Sequence, residues 1–405
     1  MTAPIGIGLL ICLFTCDLFG NEGDPVNIHG FISQGYLQST RNDIIQDSTD
    51  GTWQFNEFGL NFGYKPIDKL LISLQLMARD FGSVGNDEIM IDFAFADYSF
   101  RDELGIRAGK MKCLMGLYSE TRDVDMLRTS VFLPASVYDE LLRDTENYIQ
   151  GVGIYGFLNT DSLGSVSYQA QAGTCNLTQN TSTVDYLETG MMDINSVNMD
   201  TSQSYALQYT DPSGMFRFGG TALFTQIDVD AVSGTTDLAR VGFGALGISP
   251  GSPIIVKANG IEIYTASAEV IWRNIVLSGE IKNTKTNDLI LYHEEKEIYR
   301  RQMNQIGYYG MLTYQFNDRI DAGVSYEEFY PYKNDRNGYH PEPGNQKEDH
   351  WMKKWAYSIK LSINPNWLIK YELQYIDGTA GLIYEENRFA KRYWFVNAAK
   401  LTYNF

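Results

Sequence analysis

Six ionisable side chains with the best claim to chemistry stand in one stretch, residues 113–147: Glu120, Arg122, Asp123, Asp125, Arg128 and Arg143. Acids and bases alternate there without histidine or cysteine among them, so the spacing does not suggest bond-making. It suggests sorting. Opposed charges across a narrow, low-dielectric gap set up a transverse field that discriminates solutes by charge and dipole. The same stretch is too long and too apolar for a plain loop. Phe132–Asp144 carries a short helix signal, with Ser136 placed to cap it, Asp139 three residues on, and Val137 and Leu141 sharing one face. An apolar face needs something to pack on, so the segment is expected to fold into a lumen and narrow it. A lid or subunit-contact loop is the blander alternative.

Other chemistry fares worse. The histidines, His29, His293, His340 and His350, are scattered, which indicates neither a zinc site nor a Ser–His pair. Gly242-Phe-Gly244-Ala-Leu-Gly247 has dinucleotide-loop spacing, but Pro250 and Pro253 stand where that motif needs a helix. Asp228, Asp230 and Asp237 could meet calcium, yet Val232 occupies a ligand position of the EF-hand pattern. Inward Glu pairs could do glycosidase work, but carboxylates in a pore wall need no such account. The expectation is no enzyme, no cofactor and no metal. A net charge of −18 argues against nucleic acid as a partner.

The elements that must position the 113–147 segment are strands. The chain ends Tyr393-Trp-Phe-Val-Asn-Ala-Ala-Lys-Leu-Thr-Tyr-Asn-Phe405. Phe395, Ala399, Leu401, Tyr403 and Phe405 share one face, and Ala398, Lys400, Thr402 and Asn404 the other, the period of two that marks a strand. Counting back gives about sixteen such segments, each about as long as a tilted strand needs to cross a bilayer. Short Asn, Asp, Pro and Gly turns, such as Asp211-Pro-Ser-Gly214 and Asn364-Pro-Asn366, alternate with long loops at roughly 39–51, 81–87, 113–147, 174–201, 227–261, 288–303, 331–350 and 379–391. That sorting fits an all-β transmembrane antiparallel barrel with the third long loop folded into the lumen. A mean hydropathy of −0.25 suits such a barrel, because half of each strand faces water.

Alternation then assigns the faces. Ile306, Tyr308, Leu312, Tyr314, Tyr357, Ile359, Leu361, Ile369 and Tyr371 point outward. Glu57, Arg79, Asp92, Arg107, Arg217, Glu269, Arg273, Glu280, Lys282, Asp321, Glu327, Lys360, Lys370, Glu372 and Lys400 point inward, a mixed wall without a dense ladder of bases. Ile5–Phe14 has the length of a signal-peptide core, so residues 1–23 are expected to be removed and 24–405 to form the barrel. Cys12 and Cys16 fall in that leader. Cys113 and Cys175 form either one disulfide or two free thiols.

The C-terminal Leu401-Thr-Tyr403-Asn-Phe405, the long third loop, and Arg107-Ala-Gly-Lys110 leading into Gly116-Leu-Tyr118 resemble the sixteen-stranded porins of Gram-negative outer membranes. The resemblance covers most of the chain after about residue 25. It implies an outer-membrane location, a homotrimer, passive diffusion of small hydrophilic solutes or ions, and contact with membrane lipid and lipopolysaccharide. It also implies that Leu401, Tyr403 and Phe405 are the signal read by the barrel-assembly machinery. A substrate-selective outer-membrane channel, a barrel enzyme and a secreted all-β binding protein are the competing readings.

Overall fold

The computed structural model describes residues 26–405 apart from 46, 83, 86, 161, 178–180, 189–191, 237–241, 341–345, 383–386 and 388–389. The expected leader, with Cys12 and Cys16, and Asp237 therefore lie outside the described residues.

The strands, in chain order, are β1 (Val26–Ser39), β2 (Phe55–Ile67), β3 (Leu70–Phe81), β4 (Met90–Arg101), β5 (Leu104–Lys112), β6 (Tyr148–Thr160), β7 (Gly164–Leu177) and β8 (Met192–Thr210). They continue as β9 (Phe216–Ser233), β10 (Pro253–Trp272), β11 (Ile275–His293), β12 (Lys296–Asn317), β13 (Ile320–Tyr330), β14 (Met352–Ser362), β15 (Trp367–Gly378) and β16 (Tyr393–Asn404). Each pairs antiparallel with its sequence neighbours, and β1 pairs with β16 to close one barrel. The seam places Ile32 opposite Tyr403, and Phe405 and Gly30 exchange backbone hydrogen bonds at 2.9 and 3.0 Å. The sheet has no free edge, the condition a strand structure must meet in hydrocarbon.

Five strands run longer than the sequence pattern suggests. β8 to β12 have 19, 18, 20, 19 and 22 residues, against roughly 9–11 for one crossing. The expected loop at 288–303 is instead almost all strand, turned at Glu294-Glu295 with φ of 50° and 62°, the left-handed pair of a tight hairpin. The reason is packing. Val197, Met199, Val229, Ala231, Ile254 and Leu291 on these extensions bury against Tyr148, Cys175 and Leu177, so the sheet carries a core of its own beyond the crossing.

The exterior is apolar and aromatic: Leu277, Tyr357, Ile359, Ile369 and Leu401 are all exposed on it, and Trp272, Phe316, Trp367 and Phe405 lie at or beside strand ends. Glu328 shares that face. It accepts hydrogen bonds from the phenols of Tyr308, Tyr326 and Tyr330, which satisfy a charge that would otherwise be costly there. Inside, Leu37, Phe55, Phe81, Ile376, Trp394 and Val396 pack with Ile45, Val131, Phe132 and Leu141 from loops. The loops after β1 and before β16 are latched together by Asn42 with Lys391 and by Asp43 with Asn387, each pair exchanging two hydrogen bonds.

Cys113 and Cys175 are both buried free thiols. The expected helix starting at Ser136 does not form; the described helix here is the single turn α1 (Arg143–Asn147). Ser136 donates its backbone N–H to Glu327 at 2.7 Å, and Asp139 bonds the backbone of Leu141 at 2.8 Å rather than reaching back to Ser136. A wall carboxylate has taken the partner the capping box needed.

Candidate functional site

Lys360 of β14 stands opposite Lys370 of β15, which stands opposite Lys400 of β16. All three face inward, so like charges meet across two neighbouring ladders, an arrangement that is destabilising unless countered. Asp125 of the third loop counters it. Its Oδ1 lies 3.2 Å from Lys370 Nζ and its Oδ2 2.8 Å from Lys400 Nζ, and Thr402 Oγ1 donates to Oδ2 at 2.8 Å. Arg128 adds a contact at 2.9 Å. Burial alone would raise the Asp125 carboxyl, but Lys370, Lys400 and Arg128 outweigh it and hold the group well below the usual carboxylate range. Lys400 is also paired with Glu57, and Lys360 with Asp321 at 2.6 Å.

A second network ties the loop to the strands on the other side. Lys112 bridges Asp92 and Asp123 at 3.1 and 2.6 Å, and Arg143 reaches Asp123 at 2.7 Å. Asp92 points inward because a β-bulge between Ile91 and Phe93 turns two successive residues to the same side. Glu140 takes Arg79 and Arg122, each at 2.9 Å. Burial pushes the Glu140 carboxyl up, but these guanidiniums prevail and bring it down to about 2.

The loop backbone is held by wall carboxylates. Glu372 accepts from the N–H of Val131 at 2.8 Å, and Glu327 from Ser136. Glu280 accepts from the N–H of Leu117 at 2.8 Å and from the phenols of Tyr138 and Tyr309. Lys282 donates to the Val137 carbonyl at 3.1 Å. A buried loop carries backbone polar groups that must be satisfied, and here the barrel wall satisfies them.

The residues singled out from sequence fall into two sets. Arg122, Asp123, Asp125 and Arg143 are buried and paired, with Arg128 beside them. They close on partners rather than confronting unlike charges across water, so the expected open transverse field is absent at these residues. Glu120 has an exposed side chain, yet the surrounding protein pushes its carboxyl up against the pull of Arg107 and Lys112. On the wall, Glu57, Arg79, Asp92, Arg107, Arg217, Lys360 and Lys400 each sit in an ion pair. Arg107 also lies over the rings of Phe95 and Tyr155. Arg273 is no wall residue: it sits in the β10–β11 turn at φ 55°, exposed and over the Trp272 ring. Sequence reasoning missed Asp97, Lys354 and Glu140. The first two were within reach of simple alternation, since Asp97 shares parity with Phe95 and Lys354 with Lys360. Glu140 carries no periodic signal.

Between the loop and the β2, β3 and β16 wall a cavity of about 20 Å³ remains, lined by Phe55, Glu57, Arg79, Phe132, Glu140 and Lys400 among others. It has room for about one water, which needs ~10–15 Å³ on this measure. Phe55 and Phe132, both on its lining, stack with ring centres 5.2 Å apart.

No protein-family model matches the chain, and no curated protein does. Among solved structures it is similar to OmpF of Salmonella typhi in complex with daunomycin, at 13% identity over 96% of this chain and 99% of that one, with a TM-score of 0.56. It is similar to the outer membrane channel DcaP of Acinetobacter baumannii, at 9% identity over 94% and 97%, TM-score 0.54. It also resembles an anion-selective porin from Comamonas acidovorans, at 10% identity over 94% and 99%, TM-score 0.53. The chain has the closed sixteen-stranded barrel fold of these outer-membrane channels.

Proposed function

We propose that the chain is an outer-membrane porin of a Gram-negative bacterium, a passive channel whose third loop sets the passage for small hydrophilic solutes or ions. The observation that carries this is the pairing of an apolar, aromatic exterior with an interior wall of charged side chains, crossed by a loop anchored to that wall. We assign it no catalytic step. Within this reading it assembles as a homotrimer, contacts outer-membrane lipid and lipopolysaccharide, and presents Leu401, Tyr403 and Phe405 to the barrel-assembly machinery. Purified chain added to a planar bilayer should give ohmic current steps; well-folded protein that leaves the bilayer silent would refute the reading. Extraction into buffer without detergent would favour a soluble binding protein instead.

A further inference from the structure

Asp125 sits on the wall in the way a bound solute would. Two of its donors, Lys400 Nζ and Thr402 Oγ1, come from β16, each at 2.8 Å, and a third, Lys370 Nζ at 3.2 Å, comes from β15. The sheet ladder fixes these wall groups relative to one another, with Lys370 directly opposite Lys400 and Leu368 opposite Thr402. The carboxylate arrives on the loop, together with Arg128, which lies 2.9 Å from its Oδ1. Lys400 has a wall acid of its own in Glu57, and Lys360 has Asp321. Lys370 differs. It is fully buried, and among the described residues its partners are Asp125 and the Ser130 carbonyl at 3.0 Å, both on the loop. Withdrawal of the loop would therefore uncover an ammonium without an anion of its own, beside a second ammonium and a hydroxyl. Charge-assisted donors held at fixed spacing are what a carboxylate-binding site requires.

We propose that Lys370, Lys400 and Thr402 form a carboxylate-binding site in the channel wall, occupied here by Asp125 and open to small organic carboxylates when the third loop moves away. The chain's own aspartate is then an internal competitor, and solutes bearing carboxylates contend with it for the same donors. This rests on the reading of the chain as a channel, and the test separates the two.

Succinate is the probe, with chloride at equal ionic strength as control, on purified chain in planar bilayers. Succinate should alter the current through the unmodified channel where chloride does not. Asp125→Ala, or Asp125→Asn if the alanine variant folds poorly, should respond at about tenfold lower succinate, since a tethered competitor acts at millimolar effective concentration. The same variant should shift its reversal potential toward anions, and Thr402→Val and Lys370→Met should blunt the response. An equal response in all variants, or none in the Asp125 variants, overturns the site while leaving the channel intact. Silence in every bilayer overturns the channel reading, and the site is then decided in detergent. Formate should raise the melting temperature of Asp125→Ala but not of Asp125→Ala combined with Lys370→Met. No shift, or an equal shift in both, overturns it.

Discussion

At the residue scale, the third loop is governed by a few buried ion pairs, and such pairs respond asymmetrically to substitution. Removing one partner strands the other, which costs about 3–5 kcal/mol, whereas replacing both is often near neutral. Asp125→Ala strands Lys370 beside the charge of Lys400, so its thermal midpoint should fall clearly. Adding Lys370→Met should recover a large part of the loss, because the double variant keeps one lysine with Glu57 as partner. Equal midpoints for the single and double variants would show that the pair is not coupled. Glu140 gives a pH dependence of definite sign. Its carboxyl titrates at about 2 in the folded chain against an ordinary value of 4.5, so its contribution is complete above about pH 4.5. As pH falls from there through about 2, the proton it gains removes the partner of Arg79 and Arg122, and melting midpoints should drop over that window; Glu140→Gln should flatten the drop. Residue placement was legible in sequence wherever strict alternation held, as for Lys360, Lys370 and Lys400. Alternation carried past a strand end misplaced Arg273, because the β10–β11 turn begins there. It also gave no warning that three inward lysines would fall into one row, since register between strands is fixed by the turns and not by the pattern within a strand.

At the element scale, the third loop is one body pinned at several points: Glu280 near its start, Asp125 in the middle, Glu372 and Glu327 after it, and Asp92 with Arg143 near its end. Glu280→Gln together with Glu372→Gln should loosen the loop while leaving the backbone ladders of the strands in place. Single-channel steps should become larger or noisier while the folded barrel remains intact by gel migration. Unchanged steps would mean that these anchors do not limit the passage. That the loop is distinctive was visible from its length and apolar content. The absence of its helix was not, because the Ser136 signal is local and the competing partner, Glu327, lies on a distant strand. The same limit explains the long strands β8 to β12. A polar stretch reads as loop until Val229, Ile254 and Leu291 are seen to share a core with Cys175.

At the scale of the whole molecule, the barrel was the most legible feature. The sorting of short turns from long loops reports closure directly, and the last strand completes it by pairing with the first. Phe405 belongs to that seam: it exchanges backbone bonds with Gly30. Its deletion should lower the amount of assembled barrel in the membrane and leave the conductance of the surviving channels unchanged. Normal membrane levels would contradict this. How far the lumen is filled was not legible, because filling depends on contacts between loops and wall that no single segment reveals. In the proposed reading this barrel conducts through a passage limited by the third loop. Single-channel recording tests it most directly, comparing the unmodified chain with the Glu280→Gln, Glu372→Gln variant in the same salt. The prediction is ohmic steps for the first and larger steps for the second; folded protein that gives no steps in either form, or identical steps in both, would contradict it.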